Sequence, residues 1–150
     1  VTIFYEDFEV GQVEEFGEYE VTEEELLTFA EQYDPQWFHV DKERAETESM
    51  YGGLITSGWH TASMTMRMLV DNHFSQAASL GAKGLRDLRW RRPVKPGDVL
   101  SVRVEILETE VETPSRGVVV SETETLDQDG EVVMSMVSEV MYARREGEGR

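Results

Sequence analysis

The chain has 150 residues and carries three lysines and eleven arginines against 31 acids, for a formal charge of −17. So acidic a surface argues against a nucleic-acid partner, because that affinity rests on cations meeting phosphates. The absence of cysteine excludes disulfides, thiol nucleophiles and cysteine metal sites.

No apolar run is long enough to span a bilayer. The start, "VTIFYEDFEV", lacks the basic segment and apolar run of a signal peptide, so a cytoplasmic protein with no membrane partner is expected. The length fits one domain over residues 1–150, with 143–150, ending "RREGEGR", as a frayed tail. Abundant glutamate and scarce lysine match the surface expected of a halophile, whose fold should loosen at low salt. The three histidines have no second ligand at metal spacing, so no metal site is expected.

In chain order, "VEEFGEYEV" predicts a first strand. "EVTEEELLTFAEQYD" predicts a helix with Thr22 as its cap, Glu25 completing a capping box, and Leu26, Leu27, Ala30 and Tyr33 on one face. Pro35 disfavours helix at Asp34, which therefore opens a loop. "VDKERAETES" predicts a short helical turn.

A long, largely buried helix is expected next, entered through Gly52–Gly53, with Leu54, Ile55, the small Gly58, Trp59, Ala62, Met66, Leu69 and Val70 at helical spacing. It carries no acid before Asp71. His60 on it is expected to be structural, bonded to a strand carbonyl; Met64, Met66 and Met68 fill core; His73 has no evident partner.

Four strands follow, separated by the turns "KPGD" and "DQDG". The third strand overall, "VLSVRVEILETEV", places Leu100, Val102, Val104 and Ile106 on one face. The last places Val132, Met134, Met136, Val140 and Tyr142 on one face. Short turns between successive strands predict an antiparallel meander, and the whole is α+β, one long helix wrapped by an antiparallel sheet. The apolar surface and edges that this leaves point to a homodimer or a dimer-based oligomer.

Two stretches carry chemistry. Six of the fourteen basic residues fall in "KGLRDLRWRRPVK", an arrangement that fits a strand face balancing acidic neighbours or an anchor for a small polyanion. In "YDPQWFHVD", Asp34 and His39 stand five residues apart. Taken alone, an aspartate at a helix end before proline is more often a turn residue, and a lone histidine more often a structural hydrogen-bonder, than an acid–base couple.

The run from Asp34 to Asp41, followed by "YGGLITSGWHTA" and "LRWRRPVKPGD", resembles the MaoC-like, or (R)-specific enoyl-CoA hydratase, family, whose fold is the hot-dog fold. The family motif is Asp, any residue, Asn, Pro, any residue, His. Asp34 and His39 match its two ends, with Gln36 in place of Asn and Trp37 in place of Pro. The resemblance implies a lyase that adds water reversibly to a 2-enoyl-CoA to give a 3-hydroxyacyl-CoA, with no cofactor beyond the coenzyme A of its substrate.

It further implies Asp34 and His39 as the catalytic pair, Gly53 as the oxyanion donor, and Gln36 positioning Asp34, the water or the carbonyl. Trp37 and Ser57 would contact substrate, and Trp37, Phe38 and Trp59 could wall a narrow acyl pocket. Arg86, Arg89, Arg91, Arg92 and Lys95 become candidates for the coenzyme A phosphates. Two alternatives stay open: a hot-dog thioesterase, for which a carboxylate on the long helix is missing, and a non-catalytic acyl-CoA-binding subunit.

Overall fold

The computed structural model describes residues 1–145. The first strand, β1, is Val13–Glu20, and three helices follow it: α1 (Glu23–Tyr33), α2 (Trp37–Val40) and α3 (Lys42–Glu48). The long helix α4 is Gly58–Asn72. Strands β2 (Ser79–Trp90), β3 (Val99–Thr113), β4 (Arg116–Leu126) and β5 (Val132–Ala143) complete the chain.

All five strands form one antiparallel sheet in the order β1-β3-β4-β5-β2. Only β3, β4 and β5 make the expected meander. β2 crosses instead to pair with β5, Ala82 opposite Val140 and Trp90 opposite Met134, while β1 closes the other edge on β3. Short turns hold β3, β4 and β5 side by side, so β2 takes an edge position beside β5.

The packing of α4 against the sheet is apolar. Met64, Met68 and Leu69 of α4 sit among Leu100 and Val102 of β3 and Val133, Met134 and Met136 of β5. Each fully buried side chain of this size contributes on the order of 2 kcal/mol relative to exposure. At Gly17 the close approach of Met68 requires glycine: an added Cβ would stand 2.7 Å from its sulfur, and φ is +89°. The β1–β3 register shifts just there, between Phe16 and Tyr19.

The buried face of α4 differs from the one expected. His60, Thr61 and Thr65 are inside, whereas Trp59, Met66 and Val70 are exposed. Thr65 is tolerated because its hydroxyl bonds to the Thr61 carbonyl at 2.8 Å and to the Thr125 hydroxyl at 2.6 Å. On α1, Leu26 and Ala30 are buried as expected, but Tyr33 is 66% exposed.

Thr22 caps α1 by accepting from the Glu25 N–H at 3.2 Å. Only that half of the capping box is made, because the Glu25 carboxylate turns to the Tyr19 hydroxyl and to His60. The expected frayed tail is corrected at its start. Ala143 ends β5, and Arg144 and Arg145 are tied to Glu6 and Asp7 by ion pairs. The rest of that tail, 146–150, lies outside the described residues. Among the described residues no helix is long and apolar enough to cross a membrane.

Candidate active site

Proline at position 35 ends α1 on Asp34, whose N–H still reaches the Ala30 carbonyl at 2.8 Å while its carboxyl group leaves the helix axis. The chain then makes the single turn α2 where a loop is expected from the sequence, and this turn carries His39 inward. His39 is buried, and its Nδ1 lies 2.7 Å from the Ile55 carbonyl. A carbonyl only accepts, so Nδ1 carries hydrogen, and whenever the ring is neutral its lone pair is on Nε2. That Nε2 stands 3.3 Å from Asp34 Oδ2.

Asp34 is held from two further sides. Gln36 donates through Nε2 to Oδ1 at 2.7 Å, and Ser57 donates its hydroxyl to Oδ2 at 2.7 Å. Burial pushes the Asp34 carboxyl up, but the donors Gln36 and Ser57 and the nearby His39 outweigh it. The net shift is below the ordinary aspartate value, so the group stays a carboxylate.

The pair opens on a cavity of about 450 Å³ walled by Phe38, Tyr51, Trp59 and the run from Trp90 to Val94. Gly58, the first residue of α4, lies in the same wall. Ser57 occupies the N-cap position yet makes no side-chain cap, because its hydroxyl is spent on Asp34. Among the described residues nothing accepts from the N–H groups of Gly58 and Trp59. A helix N-terminus with free N–H groups thus meets the cavity beside the Asp34–His39 pair, and its dipole favours negative charge there.

Trp90 braces this corner. Its Nε1 donates to the Gly58 carbonyl at 2.8 Å, and a Cβ on Gly58 would come within 2.5 Å of its ring. A larger apolar cavity, about 470 Å³, lies elsewhere, between Ala62, Met66 and Val70 of α4 and Ala82 and Leu85 of β2.

Set against the residues expected from sequence, Asp34, His39, Gln36 and Ser57 are brought together. Ser57 serves Asp34 directly. Gly53 is not at a helix start: α4 begins five residues later, and the free N–H groups beside the pair are those of Gly58 and Trp59. Trp37 is outside the cavity lining and lies under the Arg44 guanidinium, 4.2 Å from the ring centroid.

Of the basic segment, only Arg91 and Arg92 line the cavity. Arg86 pairs with Glu108 and Glu139, Arg89 with Asp87, and Arg92 with Glu131. The Lys95 ammonium donates to the Tyr51 carbonyl at 3.0 Å. Neither Gly58, expected only as a small residue of the helix, nor Trp90 was expected at the site; the signal for the first was Ser57-Gly58, a cap-type residue and glycine directly before a periodic run.

Two histidines differ from expectation. His60 bonds to no strand carbonyl: it stacks on Phe29, its Nε2 faces Glu25 at 3.6 Å, and its buried Nδ1 has no partner among the described residues. His73 does have a partner, the Tyr142 hydroxyl at 2.7 Å. Among the described residues no group of three metal-ligating side chains gathers.

A five-stranded antiparallel sheet laid over one long helix is the hot-dog fold, and the acid–histidine pair lies at the N-terminal end of that helix. The chain belongs to the MaoC-like dehydratase family: the model of the MaoC like domain matches residues 7–128. It is similar to a MaoC-like dehydratase of Rhodospirillum rubrum, with 37% identity, 95% of this chain and 98% of that one covered, and a TM-score of 0.86. It is also similar to the (R)-hydratase PhaJ1 of Pseudomonas aeruginosa, with 27% identity, coverage of 96% and 88%, and a TM-score of 0.76. The Bacillus subtilis protein YdeM is 26% identical over 123 residues, 82% of this chain and 86% of that protein.

Proposed function

We propose that the protein adds water reversibly across the double bond of a 2-enoyl-CoA, with Asp34 and His39 as the catalytic pair. The observation that carries this reading is the fixed tautomer of His39. With Nδ1–H held by the Ile55 carbonyl, the Nε2 lone pair and the Asp34 carboxylate converge as two acceptors 3.3 Å apart. Both line the same cavity, where a bound water would meet a proton acceptor in one and an orienting acceptor in the other.

In hydration the water oxygen bonds to C3 of the enoyl group while His39 Nε2 takes one of its protons. The electron pair of the double bond moves toward the thioester, and the developing oxyanion is stabilised by the Gly58 N–H at the start of α4. His39 then returns the proton to C2. Asp34 orients the water and stabilises the imidazolium. Dehydration is the same path reversed. The thioesterase reading is disfavoured by α4, which carries no carboxylate before Asp71.

We extend the reading to a homodimer. Trp59, Met66 and Val70 on α4 and Leu80, Leu85 and Trp90 on the edge strand β2 are all exposed. An unpaired edge beside such a surface suits a second copy.

The reaction is tested by following loss of enoyl absorbance from crotonyl-CoA in molar KCl. Native protein should turn over, and His39→Ala and Asp34→Asn should each lower kcat by about a hundredfold or more. Release of free thiol instead of a hydroxyacyl thioester, or undiminished turnover in both variants, would overturn the reading.

A further inference from the structure

Arg91 differs from its basic neighbours. Arg86, Arg89 and Arg92 each meet a carboxylate, as does Lys83 with Glu112, and Lys95 is held by a carbonyl. Among the described residues Arg91 has no carboxylate partner, in a chain with more than two acids for every base. It lines the Asp34–His39 cavity from an exposed position at its rim. Its root is fixed: the backbone N–H bonds to the Val133 carbonyl at 2.8 Å, and Nε donates to the Ser135 hydroxyl at 2.8 Å. Among the described residues neither terminal Nη group has a partner, which leaves both to serve a ligand.

We propose that Arg91 is a specificity residue that pairs with a carboxylate on the acyl group, so that the substrate class is the coenzyme A half-thioester of an unsaturated dicarboxylic acid; this rests on the hydratase reading above. Charge count separates this ligand from the phosphates of coenzyme A. The nucleotide end carries a diphosphate and a 3′-phosphate and calls for several cations together, but Lys83, Arg86, Arg89 and Arg92 are already matched by acids, and Lys95 is held at the Tyr51 carbonyl. One open guanidinium fits one carboxylate, bidentately.

Position agrees. The residue shares a cavity with the reacting pair, whereas the whole pantetheine arm separates the thioester from the phosphates. An acyl carboxylate entering beside Asp34 also meets like charge, and a cation in the same wall offsets it. A neutral acyl chain gains nothing from that cation.

Succinyl-CoA and butyryl-CoA differ in a carboxylate against a methyl group and have no double bond to hydrate, so calorimetric binding at one fixed KCl concentration reads the subsite without the reaction. Native protein is expected to bind succinyl-CoA about ten- to hundredfold more tightly. Arg91→Gln should erase that preference, and Arg91→Lys should keep part of it. No preference in the native protein overturns the proposal. So does a preference that survives in Arg91→Gln, including the case where both ligands weaken equally, which would put the guanidinium on the coenzyme A phosphates. Turnover of fumaryl-CoA and crotonyl-CoA, measured in parallel, judges the reaction separately: a protein that keeps the binding preference and hydrates neither loses the hydratase reading and retains the carboxylate subsite.

Discussion

Asp34 accepts hydrogen bonds from Gln36 and Ser57, and both favour its charged form over the protonated one. Its folded-state pKa is therefore depressed, and the sign of the linkage follows. Above the ordinary carboxylate value of about 3.9 the group is ionised in both states and contributes its full stabilisation. Below that value the unfolded chain binds the proton first, and the contribution is lost as pH falls through the lower folded value. Urea titrations of native protein and Asp34→Asn should thus give a difference in unfolding free energy that is flat from pH 7 down to about pH 5 and shrinks below pH 4. A difference that grows on acidification would show that the contacts do not favour the carboxylate. The sequence marked this residue through Pro35 and through its distance from His39. The Ser57 contact spans 23 positions, and no local pattern announces a bond of that length.

Helix α4 concentrates what was legible in the chain and what was not. Its existence followed from periodicity, but its start and its buried face did not. Gly52–Gly53 looked like the threshold, yet Leu54, Ile55, Thr56 and Ser57 are buried and lie outside any helix, with the Thr56 N–H bonded to the Val94 carbonyl at 2.7 Å. A short apolar run of that kind cannot be told from helix by periodicity alone. The face was misjudged because Thr61, Thr65 and His60 look polar in sequence and are buried, while Trp59, Met66 and Val70 look like core and are exposed. Strand order was hidden for another reason, since pairing β2 with β5 depends on contacts far apart in the chain. The helix start is testable. Gly58→Ala places a Cβ 2.5 Å from the Trp90 ring, an overpacking that should lower Tm by about 3–10 °C and reduce kcat. Adding Trp90→Ala should recover part of the Tm by removing the clash. An unshifted Tm in Gly58→Ala would mean that Trp90 is free to move and does not brace the helix.

Over the whole molecule, charge opposes both the fold and the proposed dimer. Even if every base were matched to one acid, seventeen carboxylates would have no cation. The surface pairs that do form, such as Arg67–Asp71 and Lys42–Glu23, are exposed and contribute little each. Unmatched repulsion acts across the surface and weakens only when screened, over about 30 Å at 0.01 M salt and about 3 Å at 1 M. Two effects of salt therefore compete: it weakens the few pairs, and it removes the excess repulsion. The excess is the larger, so Tm should rise by several degrees between 0.01 and 1 M KCl. Association obeys the same balance, because bringing two chains of charge −17 together adds repulsion between them. Sedimentation should accordingly show a dimer in molar KCl and a shift toward monomer at 0.01 M. Potassium and sodium chloride at equal ionic strength should act alike, since screening depends on ionic strength and not on which cation supplies it. A Tm and a mass that ignore salt would mean that the carboxylates lie far enough apart to tolerate one another, and the acidity would then need a different cause.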